Sequence, residues 1–296
     1  MSGESEAQPS PSPGGSGRGH GPPPSRDEVS RSEPPSADEP PARDAPPATP
    51  GSVESPSDLR RALEDEGGST LAKYRALAVG RQGLWPLVKY ELAMTLLAPL
   101  PGAVGYALRK LFYPYLLGGM GKGVVIGRNV TLRHPHRVWL GDGVVVDDFA
   151  VLDGKGTEEC TISVGDRAII GRNTVLSCKD GTIRLGPRAN LSVNCTLISE
   201  TRVEVEDRVL VAGHCYIIAG GNHGLERLDV PIVDQPRVEK GGVRIRQNAW
   251  LGAQVAVLDG VTVGRDSVVA AGAVVNRPVE DFTVVGGVPA RTLRQR

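Results

Sequence analysis

Large aromatic side chains are scarce in this sequence. Of its 296 residues, only 4% are Phe, Trp or Tyr, whereas 38 are glycine and 24 are proline. So few rings cannot fill the core of an aromatic-rich β-sandwich, and this much glycine and proline disfavours a helical bundle. We therefore expect a core of small and aliphatic side chains.

An excess of one charge and paired cysteines are also missing. The formal net charge is zero and there is no basic stripe with interleaved aromatic residues, so we expect no nucleic-acid partner. The four cysteines, Cys160, Cys178, Cys195 and Cys215, form no CxxC pair, and no signal peptide precedes them. We therefore expect reduced thiols and a cytoplasmic protein.

Composition divides the chain into three zones. Residues 1–56 hold 14 of the 24 prolines, nine acids, four bases and no aromatic residue. Such a segment buries too little apolar surface to fold, so we expect a disordered acidic tail. Residues 57–122 carry nine bases against five acids, and their pattern predicts a helix from near Ser57 to Ala78. Residues 123–296 contain a sequence repeat and form the third zone.

Residues 83–118 of the second zone combine an apolar stretch with basic flanks. The 17 residues from Leu92 to Leu108 carry no charge. Pro99 and Pro101 interrupt them, which predicts two short amphipathic helices instead of one membrane-spanning helix. Cations and aromatic rings flank the stretch, so the helices either lie in a membrane interface, on its inner face, or pack against the rest of the protein as a cap.

Aliphatic residues recur every six positions through the third zone. The eighteen phased positions are Leu140, Val146, Leu152, Val164, Ile170, Leu176, Leu185, Leu191, Leu197, Val205, Val211, Ile217, Ile245, Leu251, Val257, Val263, Val269 and Val275. A period of six is typical of a parallel β-helix, in which each hexad forms one face of a triangular prism. The sequence therefore predicts a mainly β protein, a parallel β-helix of about six to seven coils with strands spaced as in a sheet.

The repeat has one long interruption, between Ile217 and Ile245. Long excursions from a rigid framework often carry binding and catalytic groups, so residues 218–244 are the predicted functional loop. The loop contains His223, where an imidazole is placed to act as a base near neutral pH. A lone histidine is also often structural, and spacing alone leaves both roles open.

Motifs near the C-terminus resemble those of the hexapeptide-repeat acyltransferases, which are left-handed parallel β-helix enzymes. The motifs are Trp250-Leu251-Gly252-Ala253, Val263-Gly264, Ala271-Gly272-Ala273-Val274-Val275-Asn276-Arg277 and Gly286-Gly287-Val288-Pro289-Ala290-Arg291. They are most similar to those of the sugar and polysaccharide O-acetyltransferases. The resemblance implies acetyl-CoA or another acyl-CoA as co-substrate, and a homotrimer with clefts between adjacent subunits.

The same resemblance implies roles for single residues. His223 becomes the expected general base, and Asn194, on the preceding coil, is expected near the acceptor. Ala253, Ala271 and Gly272 are expected to lie along the pantetheine arm, and Arg277, Arg291 and Arg294 near the nucleotide phosphates. No metal is expected, because no ligand-spacing motif is present. His134 and His136 are expected on a surface loop.

These observations predict an O-acyltransferase that transfers an acyl group to a hydroxyl of a sugar or cell-surface glycan precursor. Transfer is expected to be direct, within a ternary complex. Three alternatives remain open: an N-acyltransferase acting on an amino sugar, a metal-dependent hydratase of the γ-carbonic-anhydrase type, and a non-catalytic β-helix scaffold. The metal hydratase would need three histidines at a subunit interface.

Overall fold

A computed structural model describes residues 69–157 and 159–296. The predicted acidic tail over residues 1–56 and the helix start near Ser57 lie outside these residues. Within them, three helices precede a solenoid of short parallel strands. The parallel β-helix expected from the six-residue period is thus confirmed.

The solenoid has three sheets. Sheet A consists of β1 (Gly119–Met120), β4 (Val138–Leu140), β7 (Thr161–Val164), β10 (Thr182–Leu185), β13 (Arg202–Val205), β16 (Val243–Ile245) and β19 (Thr262–Val263). Sheet B consists of β2 (Val125–Ile126), β5 (Val145–Val146), β8 (Ile169–Ile170), β11 (Asn190–Leu191), β14 (Leu210–Val211), β17 (Trp250–Leu251), β20 (Val268–Val269), β22 (Thr283–Gly286) and the antiparallel β23 (Arg291–Gln295). Sheet C consists of β3 (Thr131–Arg133), β6 (Val151–Asp153), β9 (Val175–Cys178), β12 (Thr196–Ser199), β15 (Tyr216–Ala219), β18 (Ala256–Val257) and β21 (Val274–Val275). These strands make seven complete turns and part of an eighth.

The interior of the solenoid is a stack of aliphatic side chains. All eighteen phased residues predicted from the repeat are buried, with exposed fractions between 0% and 4%. Successive turns keep one register, so that Ile170 pairs with Val146 on one side and with Leu191 on the other. Because the side chains stack directly above one another, the narrow core has no room for large rings. This explains why aromatic residues are rare in this part of the chain.

The corners between sheets B and C are built from residues in the left-handed backbone region. From the third turn onward, these residues are Asn173, Asn194, His214, Gln254 and Gly272. Each donates its backbone N–H to the preceding turn, as Asn194 does to the Arg172 carbonyl at 2.9 Å. Glycine and asparagine adopt this conformation at the lowest cost. We call this row of corner residues the B/C edge.

Three α-helices precede the solenoid: α1 (Thr70–Ala78), α2 (Leu84–Leu92) and α3 (Gly102–Phe112). Ser69 caps α1, because its hydroxyl oxygen accepts a hydrogen bond from the Ala72 N–H at 3.2 Å. A π-helical turn, Ala93–Leu97, extends α2, and 3₁₀ turns lie at Tyr113–Tyr115, Pro135–Arg137 and Ile232–Asp234. Among the described residues, no helix has the length and apolar character needed to cross a membrane.

The inner faces of α2 and α3 cap the N-terminal end of the solenoid. The buried hydroxyl of Tyr90 donates to the Leu132 carbonyl at 2.8 Å. Arg109 is 3% exposed, and its guanidinium donates to three backbone carbonyls, one of them that of Ile126 in β2 at 2.9 Å. Each bond gives a backbone oxygen near this end of the solenoid a hydrogen-bond donor.

His134 is not on the surface, and that expectation was wrong. Only 4% of His134 is exposed, and its Nε2 lies 2.7 Å from the Ala76 carbonyl in α1. The ring of His136 stacks on it with a centroid separation of 5.9 Å. The segment reads as a polar loop, but the sequence could not show that α1 packs over it.

Candidate functional site

The excursion occupies residues 220–242, between β15 and β16. Two carboxylates hold it against the solenoid. Glu200 accepts a hydrogen bond from the Gly221 N–H at 2.8 Å, and the buried Asp259 accepts one from the Asn222 side chain, also at 2.8 Å. Asp259 additionally accepts from two N–H groups at the returning end of the loop. Because hydrogen bonds to a carboxylate are strong, both ends of the loop are fixed.

His223 is half-buried near the start of this loop. Its Nδ1 lies 3.3 Å from the backbone carbonyl of Gln235. A carbonyl oxygen only accepts, so Nδ1 carries the proton and Nε2 keeps a lone pair. Gln235 is itself buried, and its side-chain amide donates to the carbonyls of Arg227 (2.7 Å) and Val230 (3.1 Å). The loop therefore fixes the orientation of the imidazole, and Nε2 has the lone pair that a general base requires.

Asn194 lies on the B/C edge. Its side-chain N–H group lies 3.3 Å from Nε2 of His214, one turn further along, and its Oδ1 accepts a hydrogen bond from Asn173 at 3.2 Å. For the amide to donate to His214, Nε2 of that histidine must be unprotonated. The three polar side chains form a hydrogen-bonded row along the outside of the corner.

Within one chain, the structure does not bring Asn194 and His223 together. Asn194 precedes β12 in sheet C, whereas the loop that carries His223 follows β15, the neighbouring strand of the same sheet. The two side chains therefore lie at opposite edges of sheet C. At about 3.3 Å per residue, the five residues between the edges span about 16 Å.

Ala253, Ala271 and Gly272 continue the B/C edge toward the C-terminal end. The Gly272 N–H donates to the Ala253 carbonyl at 2.8 Å. A Cβ added at Gly272 would meet no atom within 4 Å, so this stretch of the edge is open. The small side chains leave backbone accessible beside the polar row of Asn194 and His214.

The three arginines that the resemblance assigned to phosphate lie in different places. Arg277 follows β21 at the corner between sheets C and A, on the side of the excursion. Arg291 pairs with Gly286 at the end of β22, near the B/C edge. Arg294 pairs with Val284 and lines a groove over sheet B. Only Arg291 therefore lies close to the row of small residues.

Sequence reasoning assigned no role to His214 or Asp259. His214 lies in the backbone position of its turn that Asn194 holds in the turn before, twenty residues earlier. The repeat alone shows that the two residues occupy equivalent positions in successive turns, so it could have identified His214. Asp259 gave no comparable signal, because its role depends on where the excursion returns.

The cysteines are buried thiols. Burial raises the pKa of Cys178, and a hydrogen bond with Cys195, together with burial, raises that of Cys215. A nucleophilic cysteine needs an accessible thiolate, whereas all four of these thiols are buried. Within residues 69–157 and 159–296, no three His, Cys, Asp or Glu side chains are grouped to hold a metal ion.

The fold and the repeat define a hexapeptide-repeat solenoid, and comparison with known proteins agrees. Residues 242–277 match the family model described as "Bacterial transferase hexapeptide (six repeats)". The resemblance to the hexapeptide-repeat transferases is thus confirmed.

The relatives are named acetyltransferases. The chain is 30% identical to a probable acetyltransferase of Mycobacterium tuberculosis over 170 residues, which cover 56% of this chain and 54% of the relative. It is 27% identical to the galactoside O-acetyltransferase of Escherichia coli over 166 residues, 55% and 71% of the two chains. An N-acyltransferase of Bacillus cereus, AntD, solved with a dTDP-amino sugar and coenzyme A, matches with a TM-score of 0.41 and 20% identity over 61% of this chain and 84% of AntD. The chain spans only about half the length of the mycobacterial relative.

Proposed function

We propose that the solenoid is an acyl-CoA-dependent O-acyltransferase, most simply an acetyltransferase, acting on a hydroxyl of a sugar or cell-surface glycan precursor. The observation that carries the proposal is the hydrogen bond between His223 Nδ1 and the Gln235 carbonyl, which leaves Nε2 as a base. The matched family and the names of the relatives support acyl transfer. A galactoside acceptor in one relative supports a sugar.

In the proposed reaction, Nε2 of His223 removes the proton from the acceptor hydroxyl while its oxygen attacks the thioester carbonyl. Backbone N–H groups near Ala253 stabilise the oxyanion of the tetrahedral intermediate. The C–S bond then breaks, and the imidazolium returns its proton to the sulfur of CoA. No acyl-enzyme forms, since the cysteines are buried.

A second subunit would complete this site. Asn194 and His223 lie at opposite edges of sheet C, so one acceptor can contact both only if they come from two chains. The outer face of sheet C exposes Tyr216 and Leu258, whereas the strands of sheet A expose charged residues such as Arg184 and Arg244. Apolar side chains suit a subunit interface better than charged ones, so sheet C fits the interface of the proposed homotrimer with three clefts better than sheet A does.

The cap helices support a cytoplasmic protein that binds the inner face of a membrane. Their outward side exposes Leu84, Trp85, Leu92, Leu96, Val104, Leu111, Phe112 and Tyr115, with exposed fractions between 45% and 72%. Lys89 lies 5.4 Å from the centre of the Trp85 ring. Apolar side chains with aromatic rings and lysines beside them suit the interface of an anionic bilayer. The membrane would also supply a lipid-linked glycan precursor.

Thiol release from acetyl-CoA tests the proposed reaction against nucleotide sugars, polyprenyl-linked sugars and amino sugars. His223→Ala should lower kcat by about 10²–10⁴-fold and leave the Kd for CoA unchanged, because only proton transfer is lost. Asp234→Asn, an exposed change in the same loop, is the control, and His214→Asn tests whether the base lies instead on the B/C edge. If kcat fell only in His214→Asn, the general base would lie on the B/C edge and the assignment of His223 would be wrong. Turnover with amino sugars alone would favour the N-acyltransferase alternative.

The role of Asn194 has its own test. Asn194→Ala should raise KM for the acceptor at least tenfold, whereas the Kd for CoA should stay the same. Asn129→Ala removes an asparagine with the same backbone conformation near the other end of the solenoid. This variant therefore measures the loss of stability caused by alanine in the left-handed backbone conformation itself. Equal kinetic effects of the two variants would rule out contact between Asn194 and the acceptor.

A further inference from the structure

A small cleft lies in the cap, where the turn between α1 and α2 meets the 3₁₀ turns at Tyr113–Tyr115 and Pro135–Arg137. Its volume is about 60 Å³. We call it the cap cleft and define it by five of its lining residues: Arg81, Trp85, Lys89, Tyr115 and His136. Pockets for drug-sized ligands measure about 300–1,000 Å³, so the cap cleft admits only a small group such as one phosphate.

The cap cleft carries positive charge that no acid neutralises. None of the residues that line it is acidic. Among the residues that the structure describes, neither Arg81 nor Lys89 forms an ion pair, and Lys89 lies instead beside the Trp85 ring. Glu91, the one acid of α2, accepts a hydrogen bond from the Tyr74 hydroxyl at 2.5 Å. The cleft is therefore a place of positive potential that attracts an anion.

His136 lies in the same positive field. Burial, followed by the charges of Arg81 and Arg137 and the neighbouring His134, lowers the pKa of His136 to about 4. The charges that produce this shift are all positive. Arg137 is held by the backbone carbonyls of the solenoid to which it donates, whereas Arg81 is exposed. The neutral imidazole adds an N–H donor to the cleft without adding charge.

The turn that carries Arg81 is fixed to the solenoid before any ligand binds. Gly80 has φ 68° and packs against the ring of His134, where a Cβ would clash. The backbone N–H of His134 donates to the Ala78 carbonyl, at the end of α1, at 2.9 Å. His136 stacks on His134 from the other side of the cleft. Binding therefore requires little rearrangement of the backbone.

The cap cleft opens on the outward side of the cap helices. Trp85 and Tyr115 line it, are 66% and 72% exposed, and belong to the apolar set described above. Tryptophan and tyrosine rings lie at the headgroup level of a bilayer, where lysine and arginine side chains reach the lipid phosphates. A bilayer that contacts the apolar set would therefore place its phosphates beside the cleft.

We propose that the cap cleft binds the phosphate of one anionic phospholipid, with Arg81 and Lys89 as its charged donors. The proposal rests on the membrane binding proposed above and adds a specific lipid site to it. The guanidinium presents paired N–H donors to phosphate oxygens, and the ammonium adds a compact charge. Trp85 and Tyr115 contact the glycerol and the first acyl carbons. A choline headgroup would bring a third cation beside Arg81 and Lys89, so the cleft favours an anionic lipid.

Calorimetric titration of the full-length protein with short-chain lipids tests the site without a bilayer. Dihexanoyl phosphatidylglycerol, kept below its micellar concentration, should bind at least tenfold more tightly than dihexanoyl phosphatidylcholine or inorganic phosphate. Arg81→Gln/Lys89→Gln should raise the Kd for this anionic lipid at least tenfold. The matched control Arg184→Gln/Arg202→Gln removes two exposed arginines from sheet A and should leave the Kd unchanged. Equal melting temperatures of the two double variants would show that the change in Kd reports binding.

Four results would overturn the proposal. The wild type could fail to bind the anionic lipid, or bind the choline lipid equally well, which would show that the cleft does not recognise the anion. An unchanged Kd in Arg81→Gln/Lys89→Gln would place the lipid elsewhere. Inorganic phosphate that bound as tightly as the lipid would make the cleft a site for free anions.

Replacing Leu92 and Leu96 with glutamate separates the cleft from adsorption to a bilayer. Neither leucine lines the cleft, so this variant should keep the Kd for the short-chain lipid while its binding to anionic vesicles falls. Loss of both would show that the short-chain lipid binds to the apolar surface, and the cleft assignment would be wrong.

Failure of the proposed function gives a different result. If the wild type bound the short-chain lipid but not vesicles, the membrane location would be wrong and the cap cleft would remain a phospholipid site. Thiol release measures acyl transfer separately. Lipid binding without turnover would contradict the proposed acyltransferase and leave the cap cleft in place.

Discussion

The carboxylate of Asp259 accepts a 2.8 Å hydrogen bond from the side chain of Asn222, the residue before His223. Asp259 lies in the turn after β18, so it belongs to the rigid solenoid, whereas Asn222 belongs to the excursion. The same carboxylate binds the N–H groups of Lys240 and Gly242, where the chain re-enters sheet A. One buried carboxylate therefore joins both ends of the loop and sets where the imidazole lies.

Asp259→Asn should loosen the loop and lower activity. An amide retains one acceptor oxygen but presents an NH₂ group to donors, so at least one of the three bonds is lost at a cost of about 1.5–3 kcal/mol. Limited proteolysis within residues 220–242 should accelerate, and kcat should fall with His223 unchanged. Asp234→Asn, an exposed change in the same loop, is the control. Equal proteolysis rates in the two variants would show that Asp259 does not hold the loop.

Arg109→Met should destabilise the cap and leave the chemistry intact. Burial lowers the pKa of Arg109, but the guanidinium keeps its charge and donates to three backbone carbonyls. Methionine preserves much of the side-chain volume and removes every donor, so we expect a loss of about 3 kcal/mol from unsatisfied carbonyls. Denaturant unfolding measures this decrease in the free energy of unfolding. Lys110→Met removes the neighbouring exposed cation and should cost less than about 0.5 kcal/mol.

The repeat was predictable because its physical cause is local. A side chain such as Val211 or Ile217 enters the core of its own turn, and the turns before and after impose the same requirement. Six residues therefore carry enough information to place an inward position, and all eighteen were correct. Contact between a helix and a distant loop has no such periodicity, which is why the burial of His134 under α1 was missed.

The candidate site was predictable only in part for a related reason. The excursion is visible as a break in the period, and His223 stands out within it. Asn194 precedes one strand of sheet C, whereas His223 follows the neighbouring strand, and this difference places the two residues at opposite edges of the sheet. The family motifs do not show it.

His136 should make the fold sensitive to mild acid. Burial, with the nearby charges of Arg81 and Arg137 and the neighbouring His134, lowers the pKa of His136 to about 4. In the unfolded chain the pKa is about 6.5, so between these values the unfolded state binds more protons and stability decreases as the pH falls. Urea unfolding at pH 7.5 and 5.5 should show a smaller difference for His136→Phe than for the wild type. His214→Asn, at an exposed histidine, controls for removal of a histidine elsewhere. If the difference in stability between the two pH values became smaller by the same amount in that variant, the assignment to His136 would be wrong.

Membrane binding by the cap helices should depend on their outward leucines. Leu92 and Leu96 lie one helical turn apart, and both are more than half exposed. Replacing both with glutamate removes apolar contact and adds charge that an anionic bilayer repels, so binding to vesicles containing phosphatidylserine should fall at least tenfold. The control Arg184→Gln/Arg202→Gln lowers the net charge by the same two units on sheet A. Flotation with vesicles measures the bound fraction, and thiol release with a soluble acceptor checks that the fold is intact. Equal flotation of both double variants would show that the cap helices do not bind the membrane.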